Sequence, residues 1–499
     1  MTATDLLALL PWIVLAATAV VTLLAVAWRR SHGLAAGLTL AGLALAFAAL
    51  PLAASVAPRP VTSLVIVDGY ALFFTGLLLA AAFVVGLLAH GYLATPEEDG
   101  PYPGGSGTGW GAEFYVLLLL ATLGGTVLVA SRHLASFFLG LELLSVPLYG
   151  MMAYRRGRER GLEAGFKYLI LAATSSAILL FGMALVYARQ GTLAFGPGGG
   201  LSEAPSAQGA DPVLLTGLAL IVAGFSFKLG VVPFHLWTPD VYEGAPAPVT
   251  AFVATVSKGA IFALLLRFFA GAGPQPFRPL WIGLAAIAVA SMFGGNLLGL
   301  LQNNLKRLLA YSSIAHLGYL LVAFLSGGEL AATAVSFYLV AYFVTTLGAF
   351  GVVTVLSPGG AGRDADRIDD YGGLFWRRPW PAALLAACLF SLAGMPLTAG
   401  FVGKFYLVAA GVGADRWLLA LALVVSSAIG LYYYLRVVVA MYRRPEEEGE
   451  AQPGAPALRS TVPLAGGLAL AALGLALLWL GLYPSPLLSL IEAAIAGLI

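Results

Sequence analysis

The chain contains five lysines, and four of them, Lys167, Lys228, Lys258 and Lys404, lie inside long hydrophobic segments. A charge at the centre of a membrane helix costs about 2.5–3.5 kcal/mol on insertion scales, so residues of this kind mark function by default. The matching acid is Glu142, in the middle of SFFLGLELLSVPLYG. Burial disfavours an ammonium, and a nearby carboxylate restores it. Lysine responds readily to both influences, so a row of such groups has the chemistry of a proton relay. His235 and His316 can bridge the lysines because histidine titrates near neutral pH. Tyr149, Tyr311, Ser312 and Ser313 can support water chains between them. Each residue also has a purely structural reading. Lys167 lies one turn after Glu163 in GLEAGFKYL, where the two can form an i,i+4 pair. Lys404 can snorkel if its helix is short, and either histidine can simply be hydrogen-bonded. Lys228, in GFSFKLGVVPFHLW, has no acid within one turn, and Lys258, in FVATVSKGAIFALL, is similar. Glu142 has no adjacent basic residue, so its partner is expected across helices.

The elements that must hold these residues follow from composition. Of 499 residues, 60% are hydrophobic and 10% are charged, and the mean hydropathy is +0.92. Soluble domains carry about 25% charged residues, so the solvent for this chain is a bilayer. The net charge of +2 gives no reason to expect nucleic-acid binding. The single cysteine, Cys388, excludes a disulfide framework and a cysteine-based metal site. The first apolar run is too long for a cleavable signal peptide and reads as a first membrane helix. A span needs about 20 apolar residues. Roughly fourteen such runs occur, near 6–28, 33–54, 68–90, 112–131, 133–153, 162–188, 212–235, 248–268, 279–300, 308–326, 330–356, 380–408, 414–440 and 461–484. They are continuous rather than alternating, which argues against a membrane barrel. The longer loops, at 91–111, 189–211, 357–379 and 443–460, are Gly/Pro/Ser-rich or charged and too short for a soluble domain. One polytopic all-α domain, 1–499, is expected.

Lysine and arginine in the loops set the orientation. The connections after spans 1, 5, 9, 11 and 13 carry sixteen basic residues, Lys306 among them, against six on the opposite side: Arg59, Arg132, Arg189, Arg267, Arg278 and Arg416. The richer side is expected in the cytoplasm. An even number of spans then places both termini outside.

Two spans carry breakers beside a lysine. Gly230 and Pro233 follow Lys228 in span 7, and Gly394 and Pro396 precede Lys404 in span 12. Proline removes a backbone donor, which a membrane tolerates only where protein or a wet cavity satisfies the freed groups. Interrupted helices at matching places in two halves point to a transport site. Spans 4–8 (112–268) and 9–13 (279–440) are therefore read as two repeats of five helices. The odd number makes them inverted, and 461–484 forms a last helix.

Three stretches, FKLGVVPFHLWTPDVYEGAPAPVTAF (227–252), LKRLLAYSSIAHLGY (305–319) and SLAGMPLTAGFVGKFYL (391–407), resemble the antiporter-like subunits of respiratory complex I. The resemblance runs over nearly the whole chain. WTPDVYEGAPAPV is closer to the N type than to the L or M types. An L-type chain would continue after the last span into a long lateral helix, and an M-type chain typically has glutamate where Lys404 stands. The resemblance implies fourteen helices with two inverted five-helix repeats. It also implies roles: Glu142 as the span 5 acid, Lys167 as a span 6 lysine, Lys228 as the central lysine and Lys258 as the connecting one. Lys404 becomes the exit-side lysine, and His235 and His316 become polar positions on the central axis. Redox cofactors would sit in other subunits, and none is expected in this chain, which has no dinucleotide-type glycine fingerprint.

The function expected is proton translocation along Glu142–Lys167–Lys228–Lys258–Lys404, as a subunit of a bacterial inner-membrane NADH:quinone oxidoreductase. Its partners would be the L and M subunits, the small membrane subunits and the lipid bilayer, with no nucleic acid. An alternative is a subunit of a multisubunit cation/proton antiporter or a membrane-bound hydrogenase. A transporter working alone fits less well, because lysines on spans 6, 7, 8 and 12 suit a lateral charge chain better than one substrate pocket.

Overall fold

The computed structural model describes residues 2–94, 111–155, 157–196, 211–270, 277–358, 363–444, 458–459 and 461–497. The stretches 95–110, 197–210 and 445–457 of the longer loops lie outside them, as does Arg156. Among the described residues, thirteen helices are long and apolar enough to cross a bilayer: Leu10–Trp28, His32–Ala54, Gly69–Leu93, Ala112–Ala130, Leu134–Met152, Glu159–Gln190, Pro212–Leu229, Ala247–Phe268, Arg278–Leu300, Leu305–Ser326, Gly328–Leu356, Trp417–Tyr442 and Leu464–Leu482. Two shorter apolar helices, Pro379–Ala393 and Ala399–Gly413, together supply the span expected over 380–408. Numbered in chain order with that pair as one interrupted span 12, the helices give the fourteen spans expected. Spans 8, 10 and 11 are almost wholly enclosed, whereas spans 1, 2, 6, 9, 13 and 14 leave a broad face outside. The molecule is thus a core of three helices with a lipid-facing jacket. The one strand pair among the described residues is Arg59–Pro60 with Ile66–Val67, in the connection between spans 2 and 3.

Both expected breaks are present, and they are built alike. Span 7 stops at Leu229, with Gly230 left-handed at φ 72°. The Gly230 and Val231 amides donate back to Ser226 and Phe227 carbonyls. Span 12 stops at Ala393, with Gly394 at φ 84°, and the Gly394 and Met395 amides donate back to Phe390 and Ser391. This is the glycine C-cap that closes a helix by satisfying its last carbonyls. A Cβ on Gly230 would meet Thr238 Oγ1 at 2.3 Å, so bulk as well as φ demands glycine there. The apolar run predicts span 7 over 212–235. In the structure the chain turns over 230–236 and resumes as a short helix, Trp237–Gly244. The difference arises because Gly230 ends the helical hydrogen bonding and Pro233 cannot donate, while the apolar composition continues across the turn. A Trp237 Nε1 bond to the Phe227 carbonyl, at 2.9 Å, ties the two halves together. Span 8 contains a π turn, Val253–Ser257, directly before Lys258; such bulges re-aim a helix and gather at functional sites.

Buried ion clusters fasten the two ends of the bundle. At one end Arg267 donates to both Asp68 oxygens, at 2.7 and 2.8 Å, and to the Val129 carbonyl at 3.0 Å, joining spans 8, 3 and 4. At the other end Asp364 meets Tyr92, Arg158 and Lys306. These residues belong to even-numbered and odd-numbered connections respectively, as alternating crossings require. Arg267 and Lys306, expected in solvated loops, are 3% and 1% exposed. Each is enclosed because a carboxylate from another connection folds over it. Breaking a buried pair from one side costs about 3–5 kcal/mol. The Asp68→Ala variant should therefore lose stability on that scale, read as a lower denaturation midpoint of the detergent-purified protein.

Candidate functional site

The polar residues of the core form three adjoining groups. In the first, Glu142 and Ser145 share a face of span 5, three residues apart. Lys228, in the last turn before the span 7 break, donates to Ser145 Oγ at 2.8 Å and lies 5.7 Å from the Tyr168 ring centroid. Glu142 accepts from Ser176 Oγ of span 6 at 2.7 Å. Glu142 and the Lys228 ammonium form no direct ion pair; Ser145, which accepts from Lys228, lies three residues along span 5 from Glu142. The cross-helix partner expected for Glu142 is thus a hydroxyl, with the lysine one helical turn away.

The second group surrounds Lys258, which is 1% exposed. Its ammonium donates to Ser313 Oγ at 2.7 Å and lies 5.1 Å from the Tyr242 ring and 6.0 Å from the Trp237 ring. Ser313 also accepts from Tyr342 at 2.8 Å. The third group centres on His316. Its Nδ1 lies 2.6 Å from the Tyr338 hydroxyl and its Nε2 3.1 Å from that of Tyr434, which in turn meets Ser312 at 2.5 Å. A neutral imidazole donates from one nitrogen and accepts at the other. Exchanging the two tautomers would pass a proton between those hydroxyls. Tyr342 links the groups by a ring contact, 5.6 Å from His316. Lys404 stands beyond, 5.2 Å from the Tyr319 ring. It donates to the Leu392 and Ala393 carbonyls at 2.8 and 2.9 Å and to Ser427 Oγ at 2.6 Å. The ammonium therefore sits on the open carbonyls and negative dipole end of Pro379–Ala393. It is 8% exposed and does not snorkel.

Lys167 and His235 are placed differently. Lys167 pairs with Glu163 at 2.6 Å, as its structural reading foresaw, and with Asp240 at 3.0 Å; its side chain is 43% exposed. It lines a polar cleft of about 250 Å³ with Arg160, Asp240, Glu243 and Arg307. His235 lies half-buried in the turn after Gly230, and among the described hydrogen bonds its ring reaches neither Lys228 nor Lys258. The fourth fully buried lysine is Lys306 rather than Lys167. Of the weaker candidates, Ser312 and Ser313 join the groups above and Tyr149 packs 5.6 Å from Tyr168. Sequence reasoning passed over Ser145, Ser176, Tyr338, Tyr342, Ser427 and Tyr434. The available signal was spacing: Ser312 with His316, and Tyr338 with Tyr342, are i,i+4 pairs that each put two polar groups on one face.

A core of ionisable groups enclosed by interrupted helices defines a class of ion-moving membrane subunits, and the comparisons agree. The family model described as NADH:quinone oxidoreductase/Mrp antiporter, TM, matches residues 131–430. NADH-quinone oxidoreductase subunit N of Ectopseudomonas mendocina is 50% identical over 99% of this chain and 97% of its own length. The protein of the same name from Methylococcus capsulatus is 50% identical over 98% and 95%. A chain of respiratory complex I from Thermus thermophilus with bound aureothin, 35% identical, matches with a TM-score of 0.79 over 97% of this chain and 99% of that one. A chain of the Mrp complex from Dietzia sp. DQ12-45-1b has the same fold, with a TM-score of 0.81 at 23% identity over 100% and 98%. The chain belongs to the NADH-quinone oxidoreductase subunit N family.

Gly394 offers a direct test of the Lys404 seat. A Cβ there would lie 2.8 Å from Lys404 Cδ, on a residue held at φ 84°. Left-handed backbone costs a non-glycine residue about 1–2 kcal/mol. Gly394→Ala should lower the denaturation midpoint by an amount on that scale and displace Lys404, reducing proton uptake by reconstituted vesicles.

Proposed function

We infer that this chain is a proton-translocating subunit N of an NADH-quinone oxidoreductase, working with quinone reduction carried out in other subunits. The observation that carries the mechanism is the seating of Lys228, Lys258 and Lys404. Each is buried, and each ammonium is held by hydroxyls or carbonyls, with no carboxylate in ion-pair contact among the described residues. Lysine can release a proton in such a place, whereas arginine cannot. The neighbouring hydroxyls both donate and accept, so they can hand a proton on. The path supported by the geometry is Glu142–Lys228–Lys258–His316–Lys404. Lys167, with Asp240, stands at the cleft beside it, where a proton could enter. The second reading, a subunit of a cation/proton antiporter or membrane-bound hydrogenase, is disfavoured: the likeness to the Mrp chain is at 23% identity, against 50% for the subunit N relatives.

The span 4–8 and 9–13 units are taken as inverted repeats, supported by the matching glycine-capped breaks and by the packing of first against last helix in each unit. The connections rich in arginine are taken as cytoplasmic and the termini as outside, in a bacterial inner membrane. The chain is read as a part of the translocase without a redox centre of its own, in keeping with one buried cysteine. The L and M subunits and the small membrane subunits are taken as partners. Glu142 supports a partner on span 5: it is only partly covered, and Leu139 and Val146 on the same face are 64% and 57% exposed. An ionisable residue facing lipid is too costly to stand uncovered, so a neighbouring subunit is needed there.

Removing a positioned proton carrier slows transfer on the order of a hundredfold or more. Lys228→Ala and Glu142→Ala complexes should assemble and oxidise NADH, yet lose most proton uptake per NADH in inverted vesicles. Wild-type uptake by an assembled Lys228→Ala complex would sink the relay. Lys404→Arg should also pump poorly; normal uptake would make Lys404 a fixed charge and not a carrier.

A further inference from the structure

Lys306 has no place in the path above, yet it is as deeply enclosed as Lys258, with both 1% exposed. It opens span 10. Its ammonium donates to the Glu243 carbonyl at 2.9 Å, the Ala245 carbonyl at 2.6 Å and Asp364 Oδ2 at 2.9 Å. The first two acceptors are the C-terminal end of the short helix Trp237–Gly244, whose last carbonyls have no continuing helix to satisfy them. A cation there is also favoured by the helix dipole. The other Asp364 oxygen accepts from Tyr92 at 2.7 Å and from Arg158 at 2.8 Å. Burial alone would raise the Asp364 carboxyl, but Lys306 and Arg158 outweigh it and hold the group well below the usual carboxylate range. The carboxylate form therefore persists throughout the working pH range, and the clamp would loosen only in strong acid.

Eight residues are too few to make a stable helix alone, and turns interrupt this one at both ends. Its Trp237 and Tyr242 rings nevertheless flank the Lys258 ammonium at 6.0 and 5.1 Å. Its N-terminal end is tied through Trp237 Nε1 to span 7. Its C-terminal end is tied by Lys306 and by Thr250, whose hydroxyl meets the Tyr242 carbonyl at 3.2 Å. We propose that Lys306 is a positioning residue of the proton path: anchored by Asp364, it holds the end of Trp237–Gly244 and so fixes the aromatic wall around Lys258. This rests on the reading of Lys258 as a proton carrier.

The test uses the whole membrane complex with Lys306→Met, Lys306→Arg, Asp364→Asn and Lys258→Ala. Two quantities are read: proton uptake per NADH across a pH series, and amide hydrogen exchange over residues 237–245. A charge-assisted anchor lost from a helix end should speed local exchange about tenfold. Lys306→Met should show that acceleration, together with reduced uptake and a displaced pH profile. Lys306→Arg should restore part of both. Asp364→Asn should move exchange, uptake and the pH profile in the same direction as Lys306→Met but less far, since Lys306 keeps its bonds to the Glu243 and Ala245 carbonyls. If Lys306→Met does not assemble, Asp364→Asn decides, because it leaves Lys306 both carbonyl acceptors. Faster exchange with unchanged uptake and pH profile would overturn the positioning role, as would unchanged exchange. Unchanged uptake in Lys258→Ala would instead overturn the carrier reading on which the proposal rests.

Discussion

An ammonium cannot lie in hydrocarbon without acceptors, and this requirement accounts for most of the architecture. Lys228, Lys258 and Lys404 need hydroxyls or carbonyls within about 3 Å. Ser145, Ser313 and Ser427 are hydroxyls whose own helical needs are small, so they can accept without unfolding their helices. Lys404 needs more than one serine, and the interrupted span supplies two carbonyls that an unbroken helix would have used internally. The glycine caps at Gly230 and Gly394 follow from the same need. Each stops a helix cleanly enough that the chain can turn inside the membrane with its amides satisfied.

The enclosure of spans 8, 10 and 11 follows from the same constraint. Lys258 lies on span 8, Ser312, Ser313 and His316 on span 10, and Tyr338 and Tyr342 on span 11. These helices carry the central polar side chains of the axis, so they are kept from lipid on all sides. The jacket helices turn apolar faces outward, and spans 6 and 13 keep Ser176, Ser427 and Tyr434 on their inner faces. The π turn before Lys258 adds one residue to a helical turn and thereby sets the direction in which the ammonium leaves the helix.

The broad fold was legible because a bilayer imposes a length and an apolar composition on every span. Both breaks were legible as Gly and Pro beside a lysine, and Lys228, Lys258, Lys404, Glu142 and His316 as polar groups in apolar surroundings. Lys167 and Lys306 show where such reading stops. Lys167 lies in an apolar-looking run, but its helix, Glu159–Gln190, extends past the core, and the side chain reaches Asp240 at the open end. Lys306 lies beside Arg307 at a helix start and reads as a solvated loop charge. It is buried because Asp364, 58 residues later, folds over it. Local sequence carries a residue's apolar surroundings but not a partner contributed by a distant connection. The end of span 7 is hidden in the sequence for a related reason, since Val231, Val232, Phe234 and Leu236 continue the apolar run through a turn.

Lys306 and Lys404 perform the same local task on the two broken spans. Lys306 donates to the carbonyls at the end of Trp237–Gly244, and Lys404 donates to those at the end of Pro379–Ala393. They differ in the third acceptor. For Lys306 it is a carboxylate, and the two form a buried salt bridge. For Lys404 it is the Ser427 hydroxyl, which can give a proton as well as accept one. A fixed counter-charge makes a lysine a structural cation, and a hydroxyl leaves it free to exchange. Lys228 and Lys258, seated on Ser145 and Ser313, share the hydroxyl seat of Lys404, whereas Lys167 meets Glu163 and Asp240 at an open cleft where solvent screens the pairs. Among the deeply buried lysines the presence of a carboxylate partner, rather than depth of burial, is what distinguishes Lys306 from Lys228, Lys258 and Lys404.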